Sequence, residues 1–251
     1  MTIPIGLQIY SVREDLAQDF VGVMEKVANV GYAGVEPIFN IPGTTLPEAI
    51  STIKRLGFEV PSAHVPLPVG ENKNKVLDYL AAFDCKRFFP STPRDKFGSV
   101  DEIKQVCDQF NEGQAVAAAN GVTLGVHNHW WEFQPLGDRH AYQVMLEYLD
   151  PAILFELDTY WIKTAGLDPA KVVEEFGARA PLLHIKDGPA VTDAPMLAVG
   201  DGVIDVPSIV HAGEGTTEWL IVELDRCATD MMEAVEKSFR YLVEAGLGHG
   251  K

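Results

Sequence analysis

Residues 181–187 read PLLHIKD, and residues 219–225 read WLIVELD. Each segment is apolar up to one polar side chain, His184 in the first and Glu223 in the second. Residues 154–158 form a similar short run, LFELD, that ends at Asp158. Short apolar runs bounded by turn residues are typical of parallel strands that are buried on both faces. The three segments therefore predict parallel strands whose carboxyl ends carry polar side chains.

The rest of the chain repeats this unit of apolar run, polar loop, amphipathic stretch and glycine. Residues 20–30, for example, are apolar at helical spacing and precede Gly31. No GxGxxG motif follows the first apolar run, and no linker or change in composition divides the chain. Alternating strands and helices in 251 residues predict an α/β protein, a (β/α)₈ TIM barrel forming a single domain over residues 1–251. The eight predicted strands are residues 3–9, 34–38, 59–65, 87–90, 122–129, 154–159, 181–186 and 220–224.

The composition limits the partners and the compartment. The net charge is −16, and so acidic a surface repels phosphate backbones and anionic lipids. We therefore expect no nucleic-acid and no membrane partner. Cys85, Cys107 and Cys227 are odd in number and widely spaced, which argues against a disulfide framework or a zinc knuckle. Without a leader-like or membrane-spanning segment, the sequence indicates a soluble cytoplasmic protein and leaves open whether it is a homo-oligomer.

The polar strand ends predict a metal site. In (β/α)₈ barrels the functional residues lie at the carboxyl ends of the strands. Asp158, His184 and Glu223 occupy equivalent places there, and side chains two residues apart on a strand face the same way. Two carboxylates and an imidazole, with a fourth ligand from the fifth strand, suit one divalent ion such as Mn²⁺, Zn²⁺, Mg²⁺ or Co²⁺.

Several other polar and aromatic residues suit either a structural or a functional role. A single His or Asp at a strand end is more often a hydrogen-bonded loop anchor than a ligand, but three equivalent ones reverse that preference. His64, at the end of the third predicted strand, suits a substrate contact or an anchor equally well. Trp130 and Trp161 either pack in the core or form a stacking wall for a sugar ring.

Seven motifs occur in order between about residues 3 and 245: IGLQIYSVRED, GYAGVE, HNHWWEF, ELDTYW, PLLHIKDG, VGDGVID and WLIVELD. Together they resemble the sugar phosphate isomerase/epimerase family, the xylose-isomerase-like TIM-barrel group that also includes the endonuclease IV barrels. The resemblance is specific for fold and metal site and loose for substrate. Members include isomerases, epimerases, inosose dehydratases and enzymes acting on 3-keto-glycosides.

The resemblance implies a metal-ligand set of Glu, Asp, His and Glu. Asp158, His184 and Glu223 match the last three, whereas His127 stands where relatives carry the first glutamate. Either Glu132 folds back as the first ligand, which we favour because carboxylate-rich sites are the family habit, or His127 is the ligand and Glu132 the base.

The resemblance also implies roles for the surrounding residues. His129 matches a position of catalytic or substrate-binding residues, and Lys186 is placed to neutralise an enediolate oxygen. Trp161 stands where some epimerases carry a histidine, which weakens the simplest ketose 3-epimerase assignment. The expected catalytic residues are thus His127, His129 and Lys186.

The expected function is that of a metal-dependent isomerase or epimerase of a carbohydrate or cyclitol. It removes a proton next to a carbonyl and passes through an enediolate. A lyase that dehydrates inososes or cleaves 3-keto-glycosides shares the first step and is the main alternative. A non-catalytic sugar-binding barrel is a third hypothesis. DNA repair, known among endonuclease IV relatives, conflicts with the acidic charge.

Overall fold

The strands form a parallel barrel. A computed structural model describes residues 2–251, and within that range it contains ten strands and nine α-helices. The strands are β1 Ile3–Gln8, β2 Gly34–Glu36, β3 Arg87–Phe88, β4 Thr123–His127, β5 Pro135–Leu136, β6 Arg139–His140, β7 Leu154–Asp158, β8 Leu182–Ile185, β9 Trp219–Val222 and β10 Gly248–His249.

The helices lie between the strands and cover the outside of the barrel. Several begin where an N-cap side chain accepts a backbone N–H, as Asp168 does before Pro169 and Asp205 before Val206. The helices are α1 Arg13–Val30, α2 Leu46–Arg55, α3 Asn72–Ala82, α4 Val100–Ala119, α5 Ala141–Tyr148, α6 Thr159–Thr164, α7 Pro169–Phe176, α8 Val206–Ala212 and α9 Met231–Glu244.

Parallel pairing runs around most of the barrel. β1 pairs with both β2 and β9, and the order continues through β8, β7 and β4 to β3. β10 adds a short parallel pair to β1, and β5 and β6 form an antiparallel hairpin. The predicted α/β TIM-barrel class is confirmed.

The third predicted strand differs from the expectation. Residues 59–65 close the gap between β2 and β3 through single bridges, Ile38 to His64 and Ala63 to Phe88, and not through a continuous ladder. Pro61 has no N–H to donate, so the segment cannot make regular ladder hydrogen bonds. The segment still carries His64 to the same end of the barrel as the polar ends of β7 and β8.

An apolar plug fills the interior of the barrel below the polar strand ends. Side chains two residues apart face the same way, so Leu182 points inward with His184, and Ile221 with Glu223. A Cβ at Gly125 would overlap the ring of Phe89, so glycine there makes room for the aromatic side chain. The plug consists of Phe89, Leu182, Trp219 and Ile221, all buried, with Leu154 packed against them.

One buried carboxylate organises the loop between β8 and α8. Asp187 accepts the backbone N–H groups of Gly188 at 2.8 Å, Gly200 at 2.9 Å, Gly202 at 3.1 Å and Ile204 at 3.1 Å. A carboxylate is suited to this position because it has acceptor sites only. Asp187 therefore fixes the VGDGVID segment beside the mouth of the barrel.

Replacing Asp187 by asparagine is expected to lower the free energy of unfolding by about 1–3 kcal/mol, because an amide NH₂ group would face N–H donors. Denaturant titration measures the change. Asp193→Asn is the matched control, since the Asp193 side chain is 99% exposed and its substitution should change stability by less than about 0.5 kcal/mol. Equal effects of the two substitutions would contradict the assigned role of Asp187.

No helix among residues 2–251 has the length and apolarity required to cross a membrane. The three cysteines are free thiols. Burial raises the pKa of both Cys85 and Cys107 to about 12, so these two thiols behave as apolar core residues at neutral pH.

Candidate active site

The barrel places a layer of buried polar side chains directly above the apolar plug. In the register of the sheet, His127 lies opposite Glu156, and Asp158 lies opposite His184. Glu223 follows the last residue of β9, two positions after the inward-facing Ile221. The layer therefore arises from the alternation of side chains along the strands.

His184 is the centre of this layer. Its Nδ1 lies 2.8 Å from Oε2 of Glu223. Its Nε2 lies 2.8 Å from Oε2 of Glu36 and 3.1 Å from Oε2 of Glu156. An imidazole between three buried carboxylates is rigidly oriented. Burial alone would lower the pKa of His184, but the nearby carboxylates hold it well above its usual value.

Two groups of side chains have donor atoms close enough to share an ion. In each group the four donor atoms all lie within 4.8 Å of one another. His127 and His184 belong to both groups. Asp158 and Glu223 complete the first group, and His64 and Glu156 complete the second.

His127 has the protonation state of a ligand. Burial lowers its pKa well below the usual value, and the neighbouring imidazoles lower it further, although contact with Glu156 opposes them. The neutral imidazole is the form that binds metals. Its Nδ1 lies 3.2 Å from Glu156, and its Nε2 lies 4.0 Å from Asp158.

Lys186 is the ammonium of this layer. Its ammonium is 2.8 Å from Asp158, 2.6 Å from Glu223 and 2.8 Å from Asp225. Burial by itself opposes the charged form, but the three carboxylates outweigh burial and raise the pKa of Lys186 well above its usual value. Lys186 is therefore a fixed positive charge at the site.

The donor chemistry fits a divalent cation. Four buried carboxylates face the Lys186 ammonium and the His184 imidazole in this layer, and unpaired buried charge is costly. Within residues 2–251, three atoms of this layer make no hydrogen bond, namely Oε1 of Glu36, Nδ1 of His127 and Oε1 of Glu156. Oδ2 of Asp158 is paired with the Lys186 ammonium. Mixed imidazole and carboxylate donors suit Zn²⁺, Mn²⁺ or Co²⁺ better than a purely oxygen-binding ion.

Glu132 lies outside both groups of donors. It is buried in the 3₁₀ turn Trp131–Phe133, where its carboxylate accepts the hydroxyl of Thr92 and the backbone N–H of His129 at 2.8 Å. The turn directs its side chain toward the loop that follows β3. Of the two alternatives that the sequence left open for the first ligand, this geometry favours His127.

The remaining predicted residues surround the layer. His64 Nε2 lies 2.6 Å from Glu156, so His64 is part of the second donor group. The His129 ring stacks on Trp131 with centroids 4.0 Å apart, and its Nδ1 lies 3.8 Å from Glu132. The Trp161 ring is buried and lies 5.5 Å from the Lys186 ammonium.

Trp130 is more distant from the donor layer. It is half-buried, and the Arg94 guanidinium lies 4.6 Å from the centre of its ring. No contact joins Trp130 to the two donor groups among the described residues. The role of Trp130 in substrate binding therefore stays a prediction.

Sequence reasoning missed Glu36 and Glu156, both fully buried in the layer. Glu36 accepts Gln8 Nε2 at 2.7 Å as well as contacting His184. A signal for Glu156 was present, because it lies two residues before Asp158 on one strand and must share its face. Glu36 gave a weaker signal, because its strand is only three residues long.

Comparison with known proteins connects this geometry to a group of enzymes. A family model described as xylose isomerase-like TIM barrel matches residues 24–245. A comparison with curated proteins gives no match. Among solved structures, a sugar phosphate isomerase/epimerase from Parabacteroides distasonis is 25% identical, with a TM-score of 0.79, and the match covers 96% of this chain and 94% of that one.

Two further structures share the fold at lower identity. The probable 3-DHS dehydratase AsbF from Bacillus anthracis has a TM-score of 0.76 at 13% identity, and the match covers 96% of this chain and 99% of that one. The IolI protein, whose structure contains a zinc atom, has a TM-score of 0.72 at 14% identity, with 98% of each chain covered. Structures that share this fold thus include a protein described as a sugar phosphate isomerase/epimerase and one described as a probable dehydratase.

Proposed function

The chain belongs to the xylose isomerase-like TIM barrel family, and on that premise we propose that it is a divalent-metal-dependent isomerase or epimerase of a sugar or cyclitol. The observation that carries the proposal is the convergence of His127, Asp158, His184 and Glu223 within 4.8 Å of one another. These four side chains would hold the ion. Once bound, a divalent ion polarises a carbonyl group and acidifies the neighbouring C–H bond.

His129 is the base in this proposal. His127 is committed to the ligand set, and Glu132 is held by Thr92 and a backbone amide. The His129 side chain remains 23% exposed, and its ring lies 5.1 Å from the ring of His127. His129 would take the proton from the substrate carbon, and the electron pair of the C–H bond would form the enediolate.

Two further features support this reaction. The Lys186 ammonium, fixed among three carboxylates, would stabilise the developing negative charge on oxygen. Trp130 and Trp161 would line the sugar, and His64 would hydrogen-bond a hydroxyl group. Return of the proton to the adjacent carbon, with transfer of the hydroxyl proton from one oxygen to the other, gives isomerisation. Return of a proton to the opposite face of the same carbon gives epimerisation.

The test is incubation of the purified protein with keto-sugars and inososes in D₂O, alongside elemental analysis. We expect about one divalent ion per chain and deuterium incorporation next to the carbonyl, with a product of unchanged composition. Absence of both the ion and the exchange would overturn the proposal and leave a non-catalytic barrel.

A lyase is the second candidate, and His64 is the observation that favours it. Burial alone would lower the pKa of His64, but Glu36 and Glu156 hold it above its usual value, so it can donate a proton to a leaving oxygen. An isomerisation that returns the proton on the same face does not require that second acid, whereas a lyase does, as does an epimerisation. Loss of water or of an aglycone, with a new double bond in the product, would identify the lyase.

The identity of the first ligand is tested by paired substitutions. His127→Ala is expected to lower metal affinity by more than about 100-fold, whereas Glu132→Gln should change it by less than about tenfold, the smaller effect of a residue outside the ligand set. Metal titration with a chromophoric chelator measures both. A larger loss for Glu132→Gln would restore the alternative in which Glu132 is the ligand.

A further inference from the structure

A cavity of about 510 Å³ opens beside the polar layer, at the carboxyl ends of the first strands of the barrel. Its wall is formed by the chain that follows β1, β2, the segment 59–65 and β3. Cavities of this size hold small organic molecules. The main apolar side chains of its wall are Tyr10, Ile38, Phe39, Val65, Leu67 and Phe110.

His64 connects this cavity to the proposed site. It lines the cavity, and its Nε2 lies 2.6 Å from Glu156. The His64 side chain is 16% exposed, whereas Glu36 and Glu156 are fully buried. A ligand whose polar part contacts His64 would therefore extend its remaining part into the cavity.

The wall of the cavity lacks fixed charge. Among residues 2–251, no Asp, Glu, Lys or Arg side chain lines it, and His64 is its one ionisable imidazole. The absence of Lys and Arg matters in a chain with a net charge of −16, because His64, the one imidazole of this wall, is already paired with Glu36 and Glu156 and no other cation would offset the repulsion of a phosphate dianion. The cavity therefore favours an uncharged group.

The backbone of the wall also offers few donors to an anion. Pro66, Pro90 and Pro93 have no N–H group. The N–H groups of Phe39 and Phe89 are already bonded to backbone carbonyls, at 2.8 Å and 3.0 Å. Phosphate sites normally present several free backbone N–H groups or basic side chains, and no Lys or Arg side chain lines this wall.

We propose that this cavity binds an uncharged apolar substituent, aryl or alkyl, on the sugar substrate. This inference rests on the proposed function, because it takes a sugar bound at His64 as the point from which the substituent extends. It narrows the substrate class to unphosphorylated sugars that have a carbonyl group for the proposed reaction, such as keto-glycosides, and that also carry an apolar group. The polar layer would bind the sugar, and the cavity wall would distinguish among its substituents.

The test compares three probes by isothermal titration calorimetry on the full chain: phenyl β-D-glucoside, methyl β-D-glucoside and glucose 6-phosphate. Burial of a phenyl ring is expected to make the phenyl glucoside bind at least about tenfold more tightly than the methyl glucoside. Glucose 6-phosphate should bind no more tightly than the methyl glucoside. Tighter binding of the phosphate, or no binding of the phenyl glucoside, would overturn the inference.

Two variants locate the effect. Leu67→Gln and Tyr10→Ala each alter the wall, and Tyr10 is already 38% exposed, so its replacement should preserve the fold. Each should reduce the preference for phenyl over methyl to less than about threefold and leave the affinity for the methyl glucoside unchanged. Val191→Gln, at an exposed position outside the cavity, should retain the full preference. An unchanged preference in both cavity variants would place the phenyl group elsewhere and refute the inference.

This experiment separates the inference from the proposed function. One outcome is that phenyl glucoside binding depends on Leu67 while the protein shows no deuterium exchange on any substrate. That outcome would support the inference about the cavity and overturn the catalytic proposal. Deuterium exchange together with preferential binding of the sugar phosphate would support catalysis and overturn the inference.

Discussion

Replacement of His184 by alanine is expected to abolish catalysis and metal binding together. His184 belongs to both donor groups and contacts Glu36, Glu156 and Glu223. We expect metal affinity to fall by more than about 100-fold and deuterium exchange by about 10²–10⁴-fold. Elemental analysis and exchange measured by NMR, on the same preparation, provide the two readouts.

Loss of His184 also leaves three carboxylates close together, and their repulsion could unfold the variant. A second variant is therefore needed to distinguish loss of the metal site from loss of the fold. Glu223→Gln keeps the shape of the side chain and removes one charged donor, and it should give the same joint loss while remaining folded by circular dichroism. His211→Ala is the matched control, because His211 is 72% exposed and lies outside both donor groups. Retention of both metal and exchange in His184→Ala and Glu223→Gln would refute the proposed centre.

Replacement of Lys186 by methionine is expected to give the largest loss of stability. Lys186 is buried and is the ammonium that contacts Asp158, Glu223 and Asp225. Removal of one partner from a buried ionic cluster costs about 3–5 kcal/mol. Denaturant titration at pH 8 in the presence of a chelator should show this loss of stability. Excess divalent ion should recover part of the lost stability by binding the carboxylates that no longer have an ammonium partner.

The pH dependence of the Lys186 effect follows from the direction of the pKa shift. The folded-state pKa is raised, so the lysine contributes its full stabilisation below the unfolded value of about 10.4. The difference between wild type and variant should be constant from about pH 7 to 9. The difference should narrow below about pH 5, where the freed carboxylates become protonated.

An exposed ion pair provides the control for this prediction. Lys237 lies 2.5 Å from Asp201, and the two side chains are 58% and 39% exposed. Lys237→Met should therefore cost no more than about 1 kcal/mol. If Lys186→Met lowered the free energy of unfolding no more than Lys237→Met does, the buried cluster would not be held together by its charge.

The alternation of side chains along strands predicted most of the site. The apolar runs that end at Asp158, His184 and Glu223 form β7, β8 and β9, and these three side chains share one donor group. The period of two residues determines which side chains face inward, and this property is local to each strand. The same rule applies to Glu156, so the sequence also predicts that its side chain faces inward.

Other features depend on contacts that no local pattern encodes. Glu36 meets His184 across 148 residues of sequence, and β2 is too short to give a periodic signal. The Glu132 side chain contacts Thr92 because Glu132 lies in a 3₁₀ turn that follows Trp130. The spacing of polar residues in the sequence does not predict the direction of such a turn. The bridges at residues 59–65 reflect Pro61, which has no N–H group to donate to a regular ladder.

The apolar plug beneath the polar layer determines how molecules reach the site. Phe89, Leu182 and Ile221 are fully buried and, among residues 2–251, fill the interior below His184. Reactant and product must therefore use one entrance, since packing at this density leaves no path through the opposite end of the barrel. A product that still occupies the mouth blocks the next reactant, and competitive inhibition by product is the kinetic signature that this architecture imposes.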